Sequence, residues 1–181
     1  MVLYLLFLYL SSLMTLDCEI SRVKLANNSV LMVCYNNYIR SPIAAAVFNE
    51  IVRRRGIDSR WYCDSAGISV NQEFDMDLRA KETLRSHGIE PYNTPKEVIV
   101  DDFFKFDFIF GMDRIIIGQL RTKKPVGSRT KIELLTTYDP ESKHMIRDPY
   151  FDEDSAGFEE CYQIAYRSFN AFLEEFQKSE A

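Results

Sequence analysis

The stretch VLMVCYNNYIRSPIAAAVF, Val30 to Phe48, decides how the chain is read. Val30, Leu31, Met32 and Val33 form a continuous apolar run. Such a run suits a short strand covered on both faces, as in parallel sheets. From Pro42 the period changes. Ile43, Val47 and Ile51 recur every four residues and give a helix over residues 42–55 an apolar stripe. Ser41 reads as its N-cap and Pro42 as its first residue. Arg53, Arg54 and Arg55 complement the negative end of the helix dipole, and Gly56 can close the helix in the left-handed conformation.

Outward from this unit the elements keep alternating. A second strand is expected over 60–65 (RWYCDS), then a helix over 77–87 stopped by Gly88. A third strand follows over 106–112 (FDFIFGM). Residues 113–121 read as helical, although the β-branched run Ile115 to Ile117 works against it. KIELLT, 131–136, is a fourth strand. A polar loop over 138–154 holds two Asp-Pro pairs. The last helix is marked by Phe158, Cys161, Tyr162, Ala165, Phe169, Phe172, Leu173 and Phe176, three or four residues apart. Alternating strands and helices predict a single-domain α/β fold: a four-stranded parallel sheet flanked by helices on both faces. Ligands of such sheets sit beyond the carboxyl ends of the strands.

Composition narrows the function. With 181 residues, 46% hydrophobic and 27% charged, the chain has the make-up of one globular domain. A net charge of −5 and an isoelectric point near 5.2 argue against non-specific nucleic-acid binding and against a basic membrane-surface protein. Four cysteines are scattered with no C-x-x-C pair, and the two histidines lie far apart, so no metal site is expected.

The loop after the first strand carries chemistry. Cys34 ends the strand, and Arg40 follows six residues later. A short loop between a strand and a helix N-terminus can turn its backbone N–H groups inward as an anion nest, to which the helix adds its positive end. A thiolate placed there is stabilised as an anion. Arg40 can grip two phosphate oxygens in a bidentate fork. Ser41 can donate to the sulfur. Cradle, nucleophile and clamp are what phosphoryl transfer through a cysteinyl phosphate requires. Asp148, beside the rigid Pro149, is a candidate general acid for the leaving oxygen. The ring of Tyr150 could wall an aromatic substrate.

These segments resemble the low-molecular-weight protein tyrosine phosphatases, from about Val30 to Phe176. The Val30–Phe48 stretch is similar to the family's V-C-x-G-N-x-C-R-S-P-x-A-E loop and first helix. DSAGIS (64–69), LRSHGI (84–89), FDFIFGMD (106–113), KIELL (131–135) and DPYF (148–151) match in order. The resemblance implies a doubly wound, flavodoxin- or Rossmann-like fold with the phosphate loop after the first strand. It implies Cys34 as nucleophile, Arg40 as phosphate clamp and Asp148 as general acid. Tyr35, Asn36, Asn37, Tyr38, Ile39, Ser41 and Tyr150 would contact substrate. Asn37, Ser41 and His87 would hold the loop in shape. No cofactor is implied, and the expected partner is a phosphotyrosine protein or a small aryl phosphate, not a nucleic acid.

The departures bear on preference rather than chemistry. Asn36 stands where the family has a loop glycine; if that position has φ > 0, Asn is the best substitute. Ile39 replaces the second loop cysteine and Ala45 the helix glutamate. Tyr35 and Tyr38 are bulkier than usual, and Phe151 replaces a tyrosine. Residues 70–75 look shortened, with Phe74 the candidate replacement for an aromatic wall. Two other readings stay open at this point: a phosphate-binding module with little turnover, and a thiol-coupled arsenate reductase. The second needs a nearby cysteine pair, which Cys63 and Cys161 do not form in sequence.

Met1–Leu16 contains no charged residue. It is short against the roughly 20 apolar residues of a spanning helix. It also lacks the basic start and small-residue cleavage site of a secretory signal. Residues 1–28 are read as a hydrophobic extension (a signal, an anchor, or sequence upstream of a start at Met14) and residues 29–178 as the catalytic domain. A reactive thiolate suits a reducing compartment, so a cytoplasmic protein is expected. Any membrane association is expected through Met1–Leu16 alone.

Overall fold

The structure is a computed structural model and describes residues 28–180. Met1–Leu16 and the expectations attached to it lie outside the described residues. The strands are β1 (Asn28–Cys34), β2 (Trp61–Gly67), β3 (Phe108–Gly111) and β4 (Lys131–Leu134). The helices are α1 (Arg40–Arg54), α2 (Leu78–Ser86), α3 (Asp102–Lys105), α4 (Arg114–Lys123) and α5 (Ala156–Glu180). All four strands are parallel, in the order β2-β1-β3-β4. The chain leaves β1 to one side for β2 and returns to its other side for β3. The crevice between the ends of β1 and β3 is therefore the switch point at which such sheets bind ligands.

β1 is the buried centre. Val30, Met32 and Cys34 belong to the larger core, with Ile43, Val47 and Phe48 of α1 and Phe158, Phe169 and Phe172 of α5. Leu31 and Val33 belong to the other core, with Ile109 of β3, Ile116 and Leu120 of α4, and Phe103 and Phe106. Strand side chains alternate between faces, so one apolar run feeds both. Rings fill the larger core: Trp61, Phe48, Phe108, Phe110, Tyr138, Phe169, Phe172 and Phe176 meet mostly edge to face.

The structure moves several expected boundaries. α1 begins at Arg40, one half-turn before Pro42. Its cap is Ile39, and no side chain caps it. Ser41 lies inside the helix, fully buried, with its hydroxyl turned to the loop. β3 is shorter than its apolar pattern, because the Asp107 carboxylate is drawn off to the Ser29 N–H and O–H (both 2.8 Å) and Phe106 stacks on Tyr62. After Leu134, residues Leu135–Tyr138 tighten into a 3-10 turn. The β-branched run of α4 is helical because Asp113 caps it, accepting from the Ile116 N–H at 2.8 Å. α2 keeps its expected ends, with Asp77 as N-cap and Gly88 at φ 73°.

Candidate active site

The loop from Cys34 to Arg40 lies at the carboxyl end of β1. Its one left-handed residue is Asn37, φ 60°; the condition considered for Asn36, a positive φ, is not met there. The turn at Asn37 aims its own N–H at Cys34 Sγ, 3.3 Å away. Ser41 Oγ is 3.0 Å from the same sulfur. β2 presses close behind: a Cβ on Gly67 would come within 2.8 Å of the Tyr35 carbonyl oxygen, so only glycine fits there.

The loop is braced through the buried Asn37 side chain. Its Nδ2 donates to Ser41 Oγ and to Ser65 Oγ, both at 2.9 Å, and its Oδ1 accepts from the Lys96 N–H at 3.1 Å. Ser65 Oγ donates to Asn93 Oδ1 at 2.9 Å, and Asn93 Nδ2 donates to the Asn37 carbonyl at 2.8 Å. Asn93 and Ser65 thus supply the support that the sequence reading gave to His87. His87 is held elsewhere: its Nε2 meets Glu159 Oε2 at 2.9 Å, and its ring stacks on Tyr162 at 3.6 Å. Sequence offers no signal for Asn93, since an isolated Asn in a polar loop has many ordinary uses.

Arg40 is 5% exposed and joins three elements. Nη1 donates to Asp113 Oδ2 at 2.7 Å and to the Ile146 carbonyl at 3.3 Å; Nη2 donates to Asp148 Oδ2 at 2.6 Å. Nε is buried and has no partner. Burial alone would make the guanidinium easier to deprotonate. The facing Cys34, Asp148 and Asp113 outweigh it and hold the group charged. Asp113 is a functional candidate missed in the sequence, where it reads only as the end of a matching segment.

Asp148 is half-exposed, and its Oδ1 accepts from the Tyr150 N–H at 3.2 Å. Two arginines hold its loop. Arg147 pairs with Asp152, which draws the Asp152 carboxyl below its usual range. Arg79 donates to the carbonyls of Asp152 (2.7 Å) and Tyr150 (3.1 Å) and stacks 4.5 Å over the Phe158 ring.

Cys34, Arg40, Asp113 and Asp148 open into one pocket of about 420 Å³, lined also by Tyr35, Asn36, Tyr38, Ile39, Ile115, Tyr150 and Phe151. Ser41 and Asn37 lie behind it in the brace. Tyr35, Tyr150, Phe151 and Ile115 form an exposed apolar rim. Tyr38 is nearly buried; its hydroxyl donates to the Asn71 carbonyl at 2.5 Å and its ring packs 5.9 Å from Phe74. Phe74 faces the adjoining recess with Tyr35, Tyr38 and Tyr150. Cys34, Cys63 and Cys161 are free thiols. Burial pushes the Cys161 thiol up to about 12.

The loop thus sets a cysteine at the floor of a pocket beside a buried arginine. A family model described as low molecular weight phosphotyrosine protein phosphatase matches residues 29–181, and the chain belongs to that family, whose members are enzymes. The pig enzyme of that name is 41% identical over 81% of this chain and 94% of its own; the human one is 39% identical over 82% and 96%. Among solved structures, a protein tyrosine phosphatase from Entamoeba histolytica superposes with a TM-score of 0.79 at 26% identity, covering 85% of this chain and 99% of that one. A Drosophila arginine phosphatase gives 0.76 at 31%, covering 81% and 96%.

Proposed function

We propose that the chain hydrolyses phosphotyrosine, or a similar aryl phosphate, in two transfers at Cys34. In the first, the Cys34 thiolate attacks phosphorus, a P–S bond forms, and the P–O bond to the leaving group breaks. Asp148 gives its proton to the departing oxygen. In the second, Asp148 takes a proton from water, the water oxygen attacks phosphorus, and the P–S bond breaks to release inorganic phosphate and the thiolate. Arg40 binds the equatorial oxygens through Nε and Nη2, and loop N–H groups complete the cradle. The observation that carries this reading is the buried, unpartnered Nε of Arg40 beside a loop whose floor is Cys34 Sγ.

The apolar rim suits a flat ring better than the short stem of phosphoserine. Planar phosphoarginine is the competing substrate, favoured by the Drosophila relative. The test is turnover of p-nitrophenyl phosphate by the full chain with Cys34→Ser as control, followed by phosphotyrosine, phosphoserine and phosphoarginine peptides. A kcat/KM for phosphotyrosine at least about tenfold above the others, about 1.4 kcal/mol, supports the reading. Phosphate binding without turnover would leave a phosphate-reading module. We read residues 29–178 as the catalytic unit and the cytoplasm as its compartment, because a free thiol nucleophile needs reducing surroundings.

A further inference from the structure

The edge of the sheet opposite the active site has its own chemistry. Parallel strands all begin at one edge, and the helices between them run back to it. The last turn of α4, the 124–130 turn, the start of β4 and the residues before β3 therefore meet at the edge where the strands begin. Residues 121–131, RTKKPVGSRTK, hold five of the 22 Lys and Arg residues and none of the 27 acids, in a chain of net charge −5. Arg121, Lys123, Arg129 and Lys131 are exposed and Lys124 half-buried; Lys105, just ahead of β3, is exposed as well.

Most other cations are engaged. Arg53 and Arg54 bind Glu50, Arg79 binds Asp77, Arg147 binds Asp152 and Arg167 binds Asp139. Among the described residues, none of the six edge cations forms an ion pair. Asp101 and Asp107 lie near by in sequence, and Asp107 is already engaged by Ser29. The turn is fixed by bonds from Lys124 Nζ to the Thr130 carbonyl (2.7 Å) and from Ser128 Oγ to that of Phe103 (2.5 Å). Two apolar side chains stand out among the cations. Val126 at the turn is fully exposed, and Phe104 is 60% exposed. Phe104, Arg129, Lys131 and Asn28 line one groove.

Lys105 lies over the Tyr62 and Phe106 rings and Lys131 over Phe108, which leaves their charge without an acidic partner. Cations without acidic partners around protruding apolar side chains fit an anionic lipid surface, where the cations meet headgroup phosphates and the apolar tips reach the acyl boundary. A nucleic acid would use the cations and offer Val126 nothing. We propose that this edge docks on an anionic bilayer, with the Cys34 loop facing away from it. The overall negative charge hides the patch; Asp107, held by Ser29, is the one acid that lines its groove.

The experiment is co-sedimentation of the full chain with vesicles of phosphatidylcholine containing phosphatidylserine, and with phosphatidylcholine alone. Binding is expected to the mixed vesicles and to fade at high salt. Each Lys or Arg at such a surface is worth about fivefold in partitioning, so Arg121→Glu/Lys123→Glu/Lys124→Glu/Arg129→Glu weakens binding by at least about 100-fold. A second variant, Val126→Asp/Lys123→Glu, changes only exposed side chains and guards against a folding defect. Both keep wild-type turnover of p-nitrophenyl phosphate. Equal binding to both vesicle types overturns the proposal, as does undiminished binding of both variants, which would assign attachment to residues outside the patch. A single-stranded oligonucleotide that outcompetes the vesicles, with Val126→Asp without effect, overturns it in favour of a nucleic-acid surface.

Discussion

Asp148 and Asp113 hold the two ends of the Arg40 guanidinium at 2.6 and 2.7 Å, so a phosphate group reaching Nη2 competes with Asp148 for it. Asp148→Asn removes that competitor and the acid together. Inorganic phosphate then inhibits at lower concentration, while kcat falls by roughly 10²–10⁴-fold for alkyl and other poor leaving groups and much less for p-nitrophenolate. Equal losses across leaving groups would remove Asp148 from the acid role. Ile39 makes a different prediction. It sits buried in the loop with no sulfur to trap an oxidised Cys34. Peroxide inactivation should proceed to sulfinic acid and be only partly reversed by thiols, and Ile39→Cys should restore recovery. Measuring activity after peroxide and then dithiothreitol decides it. That Cys34, Arg40 and Asp148 share one pocket was legible in the sequence, because a Cys six residues before an Arg and an Asp-Pro pair each leave a local pattern. His87 was misassigned because its place before Gly88 marks a helix end, whatever its side chain touches.

At the scale of elements, the Asp148 loop is positioned by neighbours rather than by its own sequence. Arg79 of α2 holds two of its carbonyls, and Gly157 at the start of α5 leaves room for the Arg147–Asp152 pair, which any Cβ there would strike. Arg79→Met should therefore lower kcat about tenfold, more for poor leaving groups, with inorganic phosphate inhibition unchanged. A uniform loss of phosphate affinity would mean that Arg79 supports the Cys34 loop instead. The sequence showed α2 and its Asp77 cap but not where Arg79 reaches. Likewise it took Ser41 for a helix cap, since Ser is a favoured cap and Pro a favoured first helical residue. The helix starts earlier because the loop spends that hydroxyl on Cys34 and Asn37.

For the molecule as a whole, the periods of the apolar residues were enough to set the strand count, the parallel sheet and the two-sided core. The four-residue α3 was not visible, being too short to show a period. The aromatic core makes a sharp stability test. Phe172 is 2% exposed and touches Trp61, Phe108, Phe110 and Tyr138. Phe172→Ala should cost about 3–5 kcal/mol in denaturant unfolding followed by fluorescence of Trp61, the only tryptophan. Acid sensitivity has a specific source as well. Burial would raise the Asp139 carboxyl, but Arg167 holds it lower. A depressed carboxyl stabilises the fold above its unfolded value, about 3.9, and that stability fades as pH falls through the lower folded value. Asp139→Asn should therefore lower the melting temperature at pH 6, with the difference from wild type shrinking below pH 4. A constant difference would show that shape, not charge, is what Asp139 contributes.

The brace behind the Cys34 loop runs from Asn37 to Ser65, from Ser65 to Asn93 and back from Asn93 to the Asn37 carbonyl, with a branch to Ser41. Every side chain in it is an amide or a hydroxyl. None gains or loses a proton in the range where proteins live, so the closed ring is silent to acidity. The shape of the phosphate cradle is thereby insulated from the pH of its surroundings, and only groups that meet the phosphate or the leaving oxygen should register in the pH–rate profile. Asn93→His would introduce a titrating member and should add an inflection near pH 6–7 to kcat/KM that the native ring lacks.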